Sequence, residues 1–263
     1  MNQGTRKEYF RIFLEKLPAF QAVFRAIEAE GLKANDLVEP ILDLGCGQGT
    51  FTEVVVGKEK TIVGVDIDQK ELAQAEKKGF YQKLVKADAR HLPFKNKEFQ
   101  SVLSNSVLEH VKDLKPVLKE IHRVLAKSGT LVFTAPSEKR AKLYPAFQIL
   151  NWLGLLRLAR IVSQGEDKIF KHLNCWSGNQ WCQTLKNIGF KKVEYEYRGG
   201  VATNWLSDFL LIFAPIAFLE KKIFGRLLGW RCLTAGLVFS LFGKVEDQVK
   251  NENGSVVVVR AQK

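Results

Sequence analysis

The sequence predicts an α/β protein built on a mainly parallel sheet with helices on both faces. Three observations carry this reading. Short apolar runs recur between residues 41 and 134, and stretches of helical spacing separate them. The first run passes straight into a glycine-rich turn. Polar residues, Asp43, Asp66, Asp88 and Asn105, stand where four of the runs end, which places them along one edge of such a sheet.

Each element follows from local pattern. Residues 5–30 carry Phe10, Phe13, Leu14, Leu17, Phe20, Val23, Phe24 and Ile27 at spacings of three and four, one helical face, with Pro18 as a break. Strands are expected at Ile41–Leu44, Thr61–Val65, Leu84–Ala87, Ser101–Ser104 and Thr130–Thr134. Between them, Thr50–Val56 and Gln69–Lys78 read as helices, with Gly79 stopping the second. Asp113 is expected to cap a helix with the stripe Leu114, Val117, Leu118, Ile121, Val124 and Leu125, which Gly129 would end. Ser177 and Gln180 form a capping box before a helix that Gly189 stops. Lys192–Tyr197 and Ser255–Val259 are the sixth and seventh strands. The connection between them runs roughly 55 residues, too long for a bare loop, so it must carry structure of its own.

Composition narrows the class. The chain has 263 residues, enough for a sizeable core, and 46% hydrophobic with 26% charged residues argues against general disorder. A net charge of +12 points to an anionic partner: nucleic acid, a phospholipid surface or an acidic substrate. Cys46, Cys175, Cys182 and Cys232 lie far apart in no metal-ligand pattern, so neither a disulfide framework nor a metal centre is expected. The opening MNQGTRKEYF has no apolar core, so no signal peptide is expected and a cytoplasmic location follows.

The segment ILDLGCGQGTF, residues 41–51, is the most informative. Dinucleotide sites favour G-x-G-x-x-G, but here the third glycine falls one residue early, at Gly49. Asp43 at the strand end suits a cation better than a pyrophosphate. Asp66 stands where a carboxylate can take both hydroxyls of a ribose, and Asp88 where one can accept from the amine of an adenine. Glycine loop and strand-end carboxylates together suit a cationic nucleoside.

With TIVGVDID, ADARHLPFKNKEF, SVLSNSVLEHV and LKEIHRVLAKSGTLVFTAP following in order, the sequence resembles the class I S-adenosylmethionine-dependent methyltransferases, in particular the type 11 domain group. The resemblance covers residues 41–136 and implies a Rossmann-like sheet of seven strands in the order 3-2-1-4-5-7-6, with strand seven antiparallel. It implies S-adenosyl-L-methionine as cofactor. Gly45, Gly47 and Gly49 would line its methionine moiety, with Cys46 as a small filler of the loop. Asp66, followed by Ile67, would hold the ribose, Asp88 and Ala89 would flank the adenine, and Asn105 and Ser106 would lie near the sulfonium. Ser128 departs from the pattern, which often has Pro or Gly before Gly129. One methyltransferase domain over 1–263 is expected, with its core at about 36–136, 177–198 and 255–263. Apolar helical insertions at about 137–176 and 199–254 would form a cap.

For the acceptor, the segment from Phe170 to Ser177 stands out, because it resembles an H-x-N-x-[WY]-S stretch of some type 11 enzymes. His172 is the candidate general base, with an ordinary pKa near about 6.5; bracing of the loop by His172 and Asn174 is the alternative. Glu109 and His110 look like an acid–base pair but read better as structural. The insertions are greasy, with Trp152, Leu153, Leu155 and Leu156 beside Arg157 and Arg160, and more apolar residues over 205–243. They fit a lid, a homodimer face, or helices lying in the surface of an anionic membrane on its inner face. A double membrane crossing is not expected, because Leu206–Leu219 gives 14 residues including Asp208 against about 20 for a span. The acceptor expected is small or lipid-like, methylated on oxygen or carbon. A nucleic-acid methyltransferase is the first rival, weakened by the lack of a Pro-Pro-Tyr type motif after strand four and of exposed aromatics among the basic residues. A non-catalytic cofactor-binding scaffold at a membrane is the second.

Overall fold

The computed structural model describes residues 5–32, 37–169, 172–211 and 253–263. Seven strands, β1 (Ile41–Leu44), β2 (Ile62–Asp66), β3 (Lys83–Lys86), β4 (Phe99–Asn105), β5 (Leu125–Pro136), β6 (Lys191–Arg198) and β7 (Val256–Gln262), form one sheet. Their order is β3-β2-β1-β4-β5-β7-β6. Strands β1 to β5 pair in parallel, and β7 runs antiparallel to both β5 and β6. The fold expected from the sequence is therefore the fold observed.

Alternation along the central strands splits the core in two. Leu42 and Leu44 of β1, with Val102, Leu131 and Phe133, pack under α5 (Leu114–Val124) and α9 (Gly178–Ile188). Ile41, Ile62, Leu103 and Val132 face the other way and meet Leu32 of α2 (Ala19–Leu32). All four β1 residues are buried, as a strand covered on both faces requires. Pro18 separates α2 from α1 (Arg6–Leu14): without an N–H it cannot extend the ladder of α1, while its carbonyl opens that of α2 by accepting from the Ala22 N–H at 3.0 Å. Helices α3 (Thr50–Val55) and α4 (Gln69–Glu76) follow β1 and β2. Asp68 caps α4 by accepting from the Lys70 N–H at 2.7 Å. The Ser177 capping box closes as expected: the Gln180 N–H donates to Ser177 Oγ at 3.2 Å and the Ser177 N–H to Gln180 Oε1 at 2.8 Å.

Two local expectations need correction. Asp113 occupies the cap position of α5, but its side chain accepts no capping hydrogen bond. Gly129 does not end α5 either. The helix stops at Val124 and Leu125 is already extended, so the chain enters β5 at once. The turn falls instead at Ser128, whose φ of +66° lies in the left-handed region that glycine tolerates better. Gly129 is hemmed in, because an added Cβ would come within 3.0 Å of the carbonyl oxygens of Ala126 and Gln100.

Beyond β5 the chain forms α6 (Arg140–Leu143), α7 (Pro145–Trp152) and α8 (Leu156–Ile169), and after β6 comes α10 (Val201–Leu211). Leu206 and Leu210 of α10 pack with Tyr9, Phe10 and Phe13 of α1 in a third apolar cluster. The apolar stretch expected over 212–243, with Lys221, Lys222, Arg226 and Arg231, lies outside the described residues, as do Phe170 and Lys171. No helix among the described residues is long and apolar enough to cross a membrane.

Trp181 is fully buried, with ring centroids 4.8 Å from Phe133 and 4.7 Å from Trp176. Trp181→Ala should cost about 3–5 kcal/mol of stability, the range for deleting a large buried aromatic. Urea denaturation followed by circular dichroism should show the transition moving to lower concentration by that amount.

Candidate active site

Two adjoining clefts open at the C-terminal ends of β1, β4 and β5. The first, about 380 Å³, is lined by Asp43, Gly45 to Gln48, Asn105 and Ser106. The second, about 350 Å³, is lined by Glu109, His110, Arg140, Tyr144, His172 and Asp208 among others. Gln21, Arg25 and Ser106 belong to both.

The floor of the first cleft is the turn between β1 and α3. The N–H groups of Gly45 and Cys46 both donate to the Val65 carbonyl, at 2.8 and 3.0 Å. Gly45 has φ +72°, and a methyl group there would run into the side chain of Val107. Gly49 also has φ +72°, and a Cβ would lie 2.7 Å from the Tyr81 ring. Asp66 closes the turn: its Oδ2 accepts from the Gly47 N–H at 2.8 Å and its Oδ1 from the Asp68 N–H at 2.9 Å. Cys46 is buried, and burial with Asp43 and Asp66 nearby pushes its thiol far up, so it is no nucleophile.

Asp43 is 3% exposed and accepts from the Thr52 and Tyr81 hydroxyls, each at 2.5 Å. Burial raises its pKa to about 6 against the pull of these two hydrogen bonds, and Asp66 raises it further. Tyr81 escaped the sequence reading. It lies beyond α4, and nothing in its local pattern shows that it folds back onto β1.

Arg25 divides the clefts. Its Nη1 donates to Glu28 Oε2 at 2.6 Å, Asn105 Oδ1 at 2.7 Å and Ser106 Oγ at 2.8 Å. Asn105 Nδ2 donates to Glu28 Oε2 at 3.0 Å and Thr134 Oγ1 at 2.7 Å, and Ser106 Oγ donates to Glu28 Oε1 at 2.9 Å. Sequence reasoning found Asn105 and Ser106 but missed Arg25 and Glu28. The available signal was a charged pair at i, i+3 inside an otherwise apolar helix. With Arg25 matched by Glu28, the other charges on the first cleft, Asp43 and Glu71, are acidic, and the lining suits a cationic ligand.

Five predicted residues stand apart from these linings: Gly49 and Asp66, which shape the turn beneath the first cleft, and Ile67, Asp88 and Ala89. Ile67 is 66% exposed, and Ala89 packs against the core. Asp88 is held by Arg90, accepting from its backbone N–H at 2.9 Å, its Nε at 3.0 Å and its Nη2 at 2.5 Å. That pair holds the Asp88 carboxyl at about 2.

In the second cleft the segment after residue 171 is fastened to a 3-10 turn at Leu108–His110. The Glu109 carbonyl accepts from the N–H groups of Leu173 and Asn174, at 2.8 and 3.1 Å. Asn174 Nδ2 donates to the carbonyls of Leu108 at 3.0 Å and Val111 at 2.6 Å. Asn174 therefore braces the loop, and His172 is turned into the cleft. Arg140 Nη1 lies 3.2 Å from His172 Nε2. Burial, with Arg140 and His110 nearby, lowers His172 to about 3. The imidazole is therefore neutral at pH 7 and a weak proton acceptor, unlike the base near 6.5 expected from the sequence. Glu109 also departs from its bland reading, because it lines the cleft while only 2% exposed, and burial raises its carboxyl to about 8.

The Methyltransferase domain family matches residues 42–133. Demethylmenaquinone methyltransferase of Lactobacillus johnsonii is 37% identical over 210 residues, 72% of this chain and 77% of that protein. Malonyl-[acyl-carrier protein] O-methyltransferase of Hamiltonella defensa is 34% identical over 94 residues, and the chain spans 36% of its length. A solved SAM-dependent methyltransferase from Thermotoga maritima superposes with a TM-score of 0.60 at 19% identity, over 97% of this chain and 94% of that one. This chain belongs to the class I S-adenosylmethionine-dependent methyltransferases. S-adenosylmethionine is accordingly its cofactor.

Asn174→Ala should cost about 1–3 kcal/mol, because it leaves the buried Leu108 carbonyl and the part-buried Val111 carbonyl without their donor. Chemical denaturation should show this loss, while S-adenosylmethionine affinity, read by calorimetry, stays within about twofold of wild type because the fastening lies beyond the first cleft.

Proposed function

We propose that the protein transfers the methyl group of S-adenosylmethionine to a small or lipid-like acceptor, on oxygen or carbon. One observation carries this reading: two clefts of similar size meet at Ser106 and Arg25, one acidic and floored by glycines, the other walled by cap helices. The chain reads as one unit over 1–263, with 137–176 and 199–254 inserted as the cap.

The sulfonium supplies an activated methyl group and a neutral leaving group, so the task left to the protein is mostly alignment. Gly45, Gly47 and Gly49 let the backbone approach the methionine moiety, with Cys46 filling the space behind. Asp43 supplies negative charge beneath it. Asp66 uses one backbone N–H on each oxygen and keeps acceptor capacity for a ribose diol. Ile67 and Ala89 would border the nucleoside, and Asp88 would share its carboxylate between Arg90 and the adenine amine. Asn105 and Ser106, fixed by Arg25 and Glu28, would sit between the sulfonium and the acceptor. His172 orients the acceptor as a neutral ring.

The greasy acceptor is supported by the cap surface. Helices α7 and α8 and the turn between them expose Ile149, Trp152 (84% exposed), Leu153, Leu155, Leu158 and Ile161 (64% exposed), with Arg157 and Arg160 among them. An apolar face edged by arginines fits helices lying in an anionic bilayer surface. Related methyltransferases named for demethylmenaquinone and for a malonyl-carrier protein make small and lipid-like acceptors reasonable.

Two measurements test this reading. Asp66→Ala should weaken S-adenosylmethionine binding by about 1.5–3 kcal/mol, the size of a hydrogen bond to a charged group; unchanged affinity by calorimetry rejects the ribose assignment. In flotation assays the protein should rise with anionic vesicles at low salt and release at high salt, and labelled methyl groups should enter a lipid extract. If it stays in the soluble fraction with anionic and neutral vesicles alike, the exposed helices are a lid or a homodimer contact.

A further inference from the structure

Glu109, His110 and His172 bring one carboxylate oxygen and two imidazole nitrogens within 4.8 Å of one another. The cluster is assembled from distant parts of the chain. The Glu109 carbonyl holds Leu173 and Asn174, which fixes the start of the 172–177 segment over the 3-10 turn. The two imidazole centroids lie 5.5 Å apart with their planes at 31°. An independent observation also points to a ligand. Glu109 Oε2 is buried, on a side chain 2% exposed, and makes no hydrogen bond, although the residue lines the cleft. A buried carboxylate oxygen without a partner is costly, and a cation would satisfy it.

Two imidazoles and a carboxylate form a mixed nitrogen and oxygen donor set that suits a divalent first-row ion. Three protein ligands leave coordination positions open, as in metal centres that act on a substrate. Arg140 Nη1 lies 3.4 Å from His172 Nδ1 and 3.2 Å from Nε2, within hydrogen-bond reach of both, so a metal on His172 takes the place of this guanidinium at the ring. Arg140 also has a carboxyl neighbour in the same cleft, since its charge acts on Asp208.

We propose that Glu109, His110 and His172 form a divalent transition-metal site whose open positions take an oxygen of the acceptor. This deepens the proposed function by selecting an acceptor hydroxyl, one whose oxygen the metal can hold. The coordinated hydroxyl loses its proton to water. Its oxygen forms the new bond to the methyl carbon as the carbon–sulfur bond breaks, giving the methyl ether, S-adenosylhomocysteine and one released proton. The metal stabilises the alkoxide or phenolate before transfer, which relieves His172 of the role of base.

The test is calorimetry with Mn²⁺ and with Zn²⁺ on the chelator-treated full chain. One equivalent should bind to the wild type. Glu109→Gln, His110→Ala and His172→Ala should each weaken binding by at least about tenfold, since even residues that only support metal ligands cost that much. Circular dichroism and S-adenosylmethionine binding check that each variant is folded. His110 is 44% exposed, so its replacement decides the matter if the buried Glu109 variant does not fold. Metal heats no greater than dilution, or equal affinity in wild type and His110→Ala, would overturn the site. Cofactor binding by the same metal-free wild type reports on the proposed function separately. In a lysate containing the acceptor, labelled product should vanish on chelation and return with Mn²⁺; product formation unaffected by chelation would overturn the metal's part in transfer.

Discussion

Glu28 is a carboxylate at 5% exposure, and the geometry of both clefts depends on how it is satisfied. It accepts from Arg25, Asn105 and Ser106, so one buried acid ties α2 to the end of β4. Removing a single partner of such a buried charge costs about 3–5 kcal/mol, because the remaining charge is left uncompensated. The network is therefore close to all-or-none. Apolar packing holds α2 through Val23, Ala26 and Ile27, while Glu28 joins that helix to Asn105 and Ser106 and holds Arg25 between the clefts. Ser106, at φ +53°, holds a backbone conformation unfavourable to a serine, and its three hydrogen-bonded neighbours are what keep it there.

Much of the fold was legible because its signals are local. Pro18 ends one helix and permits the next, glycines mark the turn after β1, and Ser177 with Gln180 announces α9. The antiparallel seventh strand was legible only through family resemblance, since no period or spacing encodes the direction of a strand after so long a connection. The failures have a common cause as well. Gly129 was read as a helix stop from its position after an apolar stripe, yet Ser128 takes the left-handed turn and Gly129 serves close contact with Gln100. Contact with a distant strand leaves no local mark.

The same distinction holds at the site. Residues at strand ends, Asp43, Asp66, Asn105 and Ser106, could be placed from sequence because strand register fixes their edge. Tyr81, Arg25 and Glu28 reach the clefts through tertiary packing, and their neighbours in sequence do not predict it. Asp88 was placed at the correct edge, but the Arg90 side chain that shares its carboxylate was not anticipated. His172 was singled out by type and context, while its environment, a half-buried ring beside an arginine, inverts the usual expectation of a base near neutrality.

The cap gives these clefts their chemical character. Arg140 and Tyr144, which wall the second cleft, lead directly into α7, whose far end carries the exposed Trp152 and Leu153. Asp208, which lines the same cleft, comes from α10, and Trp205 of that helix donates from Nε1 to Gln148 Oε1 of α7 at 3.1 Å. Helix α10, which lines the second cleft, is thus linked to α7, which carries part of the exposed apolar surface. A shift of α7 on a partner surface would move Tyr144, and through α6 the arginine beside His172. Binding at that surface and access to the cleft would then be coupled through one short stretch of chain, residues 140–152. Such coupling would let a contact at the apolar exterior reach the polar groups that line the cleft.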